Sequence, residues 1–68
     1  MSPLESIRLR LARVGDDRQR LDLLRRMLAA TEEAKMLRAL AAVVEEARVV
    51  AGEEILGDLA DLADRLHE

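Results

Sequence analysis

The sequence predicts an all-α fold, a small bundle of about four short helices forming a single domain over residues 1–68. Three observations predict it. Hydrophobic residues make up 50% of the chain and recur at the three- and four-residue spacing of a helix face. Residues that commonly cap helices divide the chain into segments of helical length. No segment is better explained by the alternation of a strand, and the chain has neither cysteine nor aromatic residues.

The first helix is predicted over residues 3–14. Ser2 is placed to cap its N-terminus, Pro3 occupies the first helical position, and Glu5 completes a capping box. We expect Gly15 to end the helix in a left-handed conformation. The apolar residues of this segment form one narrow stripe that a single partner helix can cover. They are Leu4, Ile7, Leu11 and Val14.

The second helix is predicted over residues 17–29, with Asp16 as the cap and Gln19 three residues later. Its apolar residues fall on two stripes that are well separated around the helix axis, so we expect it to be covered from two sides. One stripe consists of Leu21, Leu24 and Leu28, and the other of Leu23, Met27 and Ala30.

The third helix is predicted over residues 32–51, opened by Thr31 and ended by Gly52. Apolar residues cover nearly half of its circumference, which indicates burial on more than one side. They are Met36, Leu37, Leu40, Val43, Val44, Ala47, Val50 and Ala51.

The fourth helix is predicted over residues 53–67. Gly57 falls on its outer face, where we expect the helix to continue through it. In the alternative that stays open, Gly52 lies inside one continuous helix over residues 32–66, because no proline forces a turn there. We favour a break at Gly52, since the apolar face shifts across it. Helices 1 and 2, and helices 3 and 4, are each candidates for a helical hairpin.

The apolar faces of the predicted helices carry more surface than we expect one chain of this size to bury. The sequence therefore predicts a homo-oligomer, with a two-fold dimer as the commonest closed form. Leu9 adds to that surface, because it projects away from the stripe of the first helix. The alternative is a monomeric bundle in which a central third helix is covered by the other three. The predicted interface residues are Leu9, Leu23, Met27, Ala30, Met36, Val43 and Val50.

Charge is divided unevenly along the chain. Residues 1–30 hold seven arginines against four acidic residues, a balance of +3, whereas residues 31–68 hold four basic and ten acidic residues, a balance of −6. We expect basic side chains of the second helix to face acidic ones of the fourth, within one chain or between copies. The arginines are Arg18, Arg20, Arg25 and Arg26, and the acids are Glu53, Asp58, Asp61 and Asp64.

The composition argues against most other functions. His67 is the only imidazole, and its spacing from Asp64 at a helix end is a weak signal for a metal site, so we expect no metal. With one histidine and no cysteine the chain has few catalytic groups, so we also expect no enzyme activity, cofactor or small-molecule substrate. A net charge of −3 without aromatic residues argues against nucleic-acid binding. No apolar run reaches the roughly 18 residues of a membrane span, and nothing at the start of the sequence suggests export, so we expect a cytoplasmic protein that does not enter a membrane.

The chain resembles de novo designed helical bundles and designed homo-oligomers. The resemblance rests on the Ser2-Pro3 opening, the caps at Asp16 and Thr31, the minimal loops and the dominance of Leu, Ala, Arg and Glu. It implies a structural, self-assembling protein without catalytic activity, located in the cytoplasm of its expression host. The alternative is a natural small cytoplasmic helical module that binds another protein.

Overall fold

The computed structural model describes residues 1–67 and contains four helices. They are α1 (Pro3–Ala12), α2 (Asp17–Ala29), α3 (Ala34–Val50) and α4 (Glu53–Leu66). The predicted all-α bundle is confirmed, and no strand occurs in the described range; residue 68 of the predicted domain lies outside it. The alternative of one continuous helix over residues 32–66 is wrong, because Ala51 and Gly52 both have extended backbone, with ψ angles of 151° and 162°.

Two of the predicted caps form as the sequence indicates. The Ser2 hydroxyl accepts a hydrogen bond from the backbone N–H of Glu5 at 3.2 Å. The Asp16 carboxylate accepts one from the N–H of Gln19 at 2.8 Å. Each side chain satisfies a backbone donor that has no partner within its helix, so these short helices begin at defined residues.

The end of α1 differs from the prediction. The helix stops at Ala12, two residues early, and Val14 donates its N–H to the Leu11 carbonyl at 3.1 Å in a tighter three-residue turn. The left-handed conformation expected for Gly15 is also wrong, since no residue between 1 and 67 has a positive φ. The tightened turn satisfies carbonyls at the helix end, so a left-handed cap is not needed.

Thr31 does not open α3 as predicted. Its hydroxyl donates a hydrogen bond to the Met27 carbonyl at 2.6 Å, and its N–H bonds to the Leu28 carbonyl at 3.3 Å. Thr31 therefore closes the end of α2, because a threonine hydroxyl can bond back to a carbonyl of the preceding turn. Helix α3 begins at Ala34, after Glu33, which makes no side-chain cap.

Helix α3 is central and packs against α1, α2 and α4, while α2 also packs against α4. The expected pairing of α3 with α4 is present, but α1 packs chiefly on α3 instead of forming a hairpin with α2. The buried core is entirely apolar within the described range. It consists of Ile7, Leu21, Leu24, Met27, Ala39, Leu40, Val43, Val44, Ile55, Leu59, Leu62 and Ala63.

The predicted pairing of α2 arginines with α4 acids is confirmed at one position. Arg18 and Arg25 both approach the Asp58 carboxylate, at 3.9 and 3.5 Å. Arg20 instead pairs with Asp17 of its own helix at 3.2 Å. These pairs remain partly exposed to solvent, so each contributes at most about 1 kcal/mol. The two pairs with Asp58 orient α2 against α4 more than they stabilise the fold.

Candidate interaction surface

The structure divides the seven predicted interface residues into three groups. Leu9 and Val50 are 48% and 84% exposed. Ala30 is exposed as well, whereas Leu23 and Met36 are half-buried and pack against the core. Met27 and Val43 are buried, with 7% and 2% exposed.

Met27 and Val43 lie in the core of a single chain, so only a small part of each side chain is open to a second chain. Both residues are buried because α3 is central in the bundle and α2 packs against two other helices. Because α2 contacts both α3 and α4, it buries apolar residues from both of its stripes, and α3 is covered from three sides.

A cleft of about 310 Å³ lies between α1, α2 and the first turn of α3 and brings four of the predicted residues together. We call it the methionine cleft. Its apolar lining comes from Ile7, Leu23, Met27, Ala30 and Met36, and its polar lining from Ser6, Arg10, Arg26 and Thr31.

Local structure explains why these side chains meet. Leu23 and Met27 are one helical turn apart on α2, so they share a face. The Thr31 bond to the Met27 carbonyl ends α2 with a tight turn, which sets Ala30 at the rim. Met36 then enters from the first turn of α3.

The rim of the methionine cleft is basic. Arg10 and Arg26 are exposed and line it, and neither forms an ion pair in the part of the chain that the structure describes. Arg26 donates a hydrogen bond only to the backbone carbonyl of Asp22, at 3.4 Å. The cleft thus presents two guanidinium groups that are free to meet an acidic partner.

A second apolar feature lies at the other end of α3. Val49 and Val50, its last two residues, are 85% and 84% exposed, and we call this pair the valine ridge. Glu53 and Glu54 follow after Ala51 and Gly52, in the first turn of α4, and are also exposed. Neither glutamate is ion-paired within residues 1–67.

A groove of about 350 Å³ between α1 and α3 adjoins the valine ridge. Its apolar lining comes from Leu11, Ala12, Val43, Ala47 and Val50. The charged groups beside it are already paired. Arg8 of α1 donates hydrogen bonds to the carboxylate of Glu46 on α3, one of them from Nε at 3.2 Å. These bonds lower the pKa of Glu46 below its ordinary value and raise that of Arg8.

The residues weighed for metal binding do not form a site. His67 is exposed at the end of α4, and Asp61 and Asp64 are exposed on the same helix. No group of three His, Cys, Asp or Glu side chains suited to a metal ion occurs among the described residues. No helix of that range is long and apolar enough to cross a membrane.

Val49 of the valine ridge, and Arg10 and Arg26 of the methionine cleft, are not among the interface residues predicted from the sequence. The signal for Val49 was the Val49-Val50 pair directly before the predicted end of the third helix. No local sequence pattern indicates that Arg10 and Arg26 border a cleft, because the cleft forms only when α1, α2 and α3 pack together.

No protein-family model, curated protein or solved structure matches this chain.

Proposed function

We propose that this protein is a structural, self-associating helical bundle without catalytic activity, whose copies bind one another through exposed apolar surface. The observation that carries the proposal is the coexistence of the methionine cleft and the valine ridge on one small chain. Contiguous apolar surface with a charged rim is typical of a binding site, whereas single scattered apolar residues are not.

The small core adds a thermodynamic argument. Helix α1 contributes only Ile7 to the fully buried set. A core in a chain of this size rarely supplies more than about 3 to 5 kcal/mol, and the chain has no disulfide to add to it. Association that covers the cleft beside α1 would bury further apolar surface and stabilise the folded state by mass action.

The residues that line the methionine cleft are suited to binding another chain and not to catalysis. Its two hydroxyls belong to Ser6 and Thr31, and the Thr31 hydroxyl already donates to a backbone carbonyl. No carboxylate or imidazole lines the cleft to act as a base. The sequence resemblance to designed bundles supports a designed origin, with assembly as the purpose of the chain.

A module that binds another protein is the second candidate. Met27 and Met36 favour it, because flexible methionine side chains adapt to partners of different shape. Purification of the chain from its native host with a stoichiometric foreign chain would support this candidate over self-association.

The concentration dependence of thermal unfolding tests the proposal. If folded copies associate, the midpoint of unfolding rises with protein concentration. Ala30→Glu places a charge at the exposed rim of the cleft and should abolish that rise. Ala29→Glu is the matched control, since Ala29 is an exposed neighbour that does not line the cleft. A midpoint that is independent of concentration in the unsubstituted protein contradicts self-association.

A further inference from the structure

We infer that copies of this chain associate head to tail, with the valine ridge of one copy inserted into the methionine cleft of the next. This inference rests on the proposed self-association and names its two surfaces. The ridge is an apolar feature exposed at the C-terminal end of α3, and the cleft is an apolar cavity at the N-terminal end of the same helix.

The two features cannot meet within one chain. Met36 of the cleft and Val49 of the ridge are separated by 13 positions along α3. At about 1.5 Å per residue, they lie roughly 20 Å apart along a straight helix. The ridge of one copy therefore reaches a cleft only on another copy.

Charge complementarity selects this pairing. The cleft is bordered by Arg10 and Arg26, and the ridge is followed by Glu53 and Glu54, none of which has an ion-pair partner among the residues described. Docking the ridge in the cleft brings these opposite charges together. Such rim pairs fix orientation and speed association more than they add affinity.

Ridge-against-ridge pairing is the competing arrangement, because the groove beside Val50 is also apolar. Its charged groups, however, are already matched within the chain, by the pairs Arg8–Glu46 and Arg20–Asp17. A two-fold contact centred on the ridge would place the Glu53 and Glu54 carboxylates of both copies near one another and leave the arginines of the cleft unmatched. Like charges in one interface oppose binding.

Head-to-tail contact has a consequence for the assembly. Because the two surfaces differ, each copy keeps one unused ridge or cleft after a single contact. Assembly then closes as a two-fold dimer if each copy docks its ridge in the cleft of the other, and otherwise continues to a ring or an open filament.

Mixing two variants tests the inference. Val49→Gln/Val50→Gln removes the ridge and keeps the cleft, while Ala30→Glu blocks the cleft and keeps the ridge. Glutamine is a better helix former than valine, and Ala30 is exposed, so both variants should fold. Ala42→Gln and Ala29→Glu are matched controls at exposed positions of the same two helices, outside both features.

Each variant alone should bind itself at least about tenfold more weakly than the unsubstituted protein, measured by sedimentation velocity. An equimolar mixture contains one intact ridge and one intact cleft, so it should form a heterodimer of twice 7.6 kDa and nothing larger. The controls should assemble like the unsubstituted protein.

The outcomes separate the two proposals. An unsubstituted protein that stays at 7.6 kDa contradicts self-association and the head-to-tail contact together. Assembly that survives in the ridge variant, or a mixture that yields no heterodimer, leaves self-association standing and overturns the head-to-tail contact. Dimers that are lost on ridge substitution but unaffected by Ala30→Glu identify the ridge-against-ridge arrangement instead.

Discussion

The carboxylate of Asp17 accepts a hydrogen bond from the backbone N–H of Gly52 at 2.9 Å, joining the first turn of α2 to the junction between α3 and α4. The other oxygen of Asp17 pairs with Arg20 at 3.2 Å, and Arg20 donates to the carbonyl of Val14 at 2.9 Å. One acid and one arginine thus connect the α1–α2 loop, α2 and the start of α4. This network holds the chain at the point where α3 ends.

Asp17→Ala should lower the free energy of unfolding by about 0.5 to 1.5 kcal/mol, because it removes the acceptor for Gly52 and the partner of Arg20. Urea denaturation monitored by circular dichroism measures the change. Asp22→Ala is the control, since Asp22 is more exposed and only approaches Arg25 at 3.9 Å. Equal losses in the two variants would show that the connection to Gly52 contributes nothing.

Gly57→Ala should raise the free energy of unfolding by roughly 0.5 to 1 kcal/mol. Gly57 lies inside α4 on an exposed face, and an added Cβ would meet no atom within 4 Å, so alanine gains helix propensity without a clash. Gly52→Ala should not give this gain, because Gly52 lies outside the helices and its Cβ would contact the Asp17 carboxylate at 3.4 Å. Thermal or urea unfolding of both variants distinguishes the positions.

Leu59→Ala should bring the protein close to unfolding. Leu59 is fully buried, and truncating a core leucine costs about 2 to 5 kcal/mol, comparable to the whole stability expected from a core of this size. Leu56→Ala, on the same helix, should cost less because Leu56 is half-buried. Circular dichroism at fixed concentration compares the two variants, and similar losses would contradict the assignment of the core.

The Arg8–Glu46 pair should make the free energy of unfolding depend on pH. Its hydrogen bonds lower the pKa of folded Glu46 below its unfolded value, so the stabilisation is complete above the unfolded pKa and is lost as the pH falls through the folded pKa. Glu46→Gln should therefore reduce the fall in urea midpoint on going from neutral to acidic pH. Because both side chains are exposed, the difference should shrink in about 1 M salt. An unchanged acid response in the variant contradicts the coupling.

The sequence contained enough to predict the helices. Capping is a local interaction, so Ser2 and Asp16 could be assigned from spacing alone, and the shift of the apolar face across Gly52 indicated the break between α3 and α4. Thr31 was assigned to the wrong helix because its hydroxyl has two local uses, capping the next helix or bonding back to the previous one, and spacing does not distinguish them.

The surface was harder to predict, because it depends on which helices touch. Met27 and Val43 carry the same periodic signal as half-buried Leu23, and only the central position of α3 decides that the first two are covered. Asp17 reads as an ordinary first-turn acid, although its carboxylate bonds a residue 35 positions away. Periodicity gives the faces of a helix, whereas tertiary packing decides which faces remain open.

The mass of the unsubstituted protein in solution tests self-association most directly. Sedimentation equilibrium over a range of concentrations should give a mass above 7.6 kDa that grows with concentration, as expected for copies that bind through distinct surfaces. A mass that remains at 7.6 kDa up to millimolar concentration would contradict the account and make the protein a monomeric bundle with an exposed cleft.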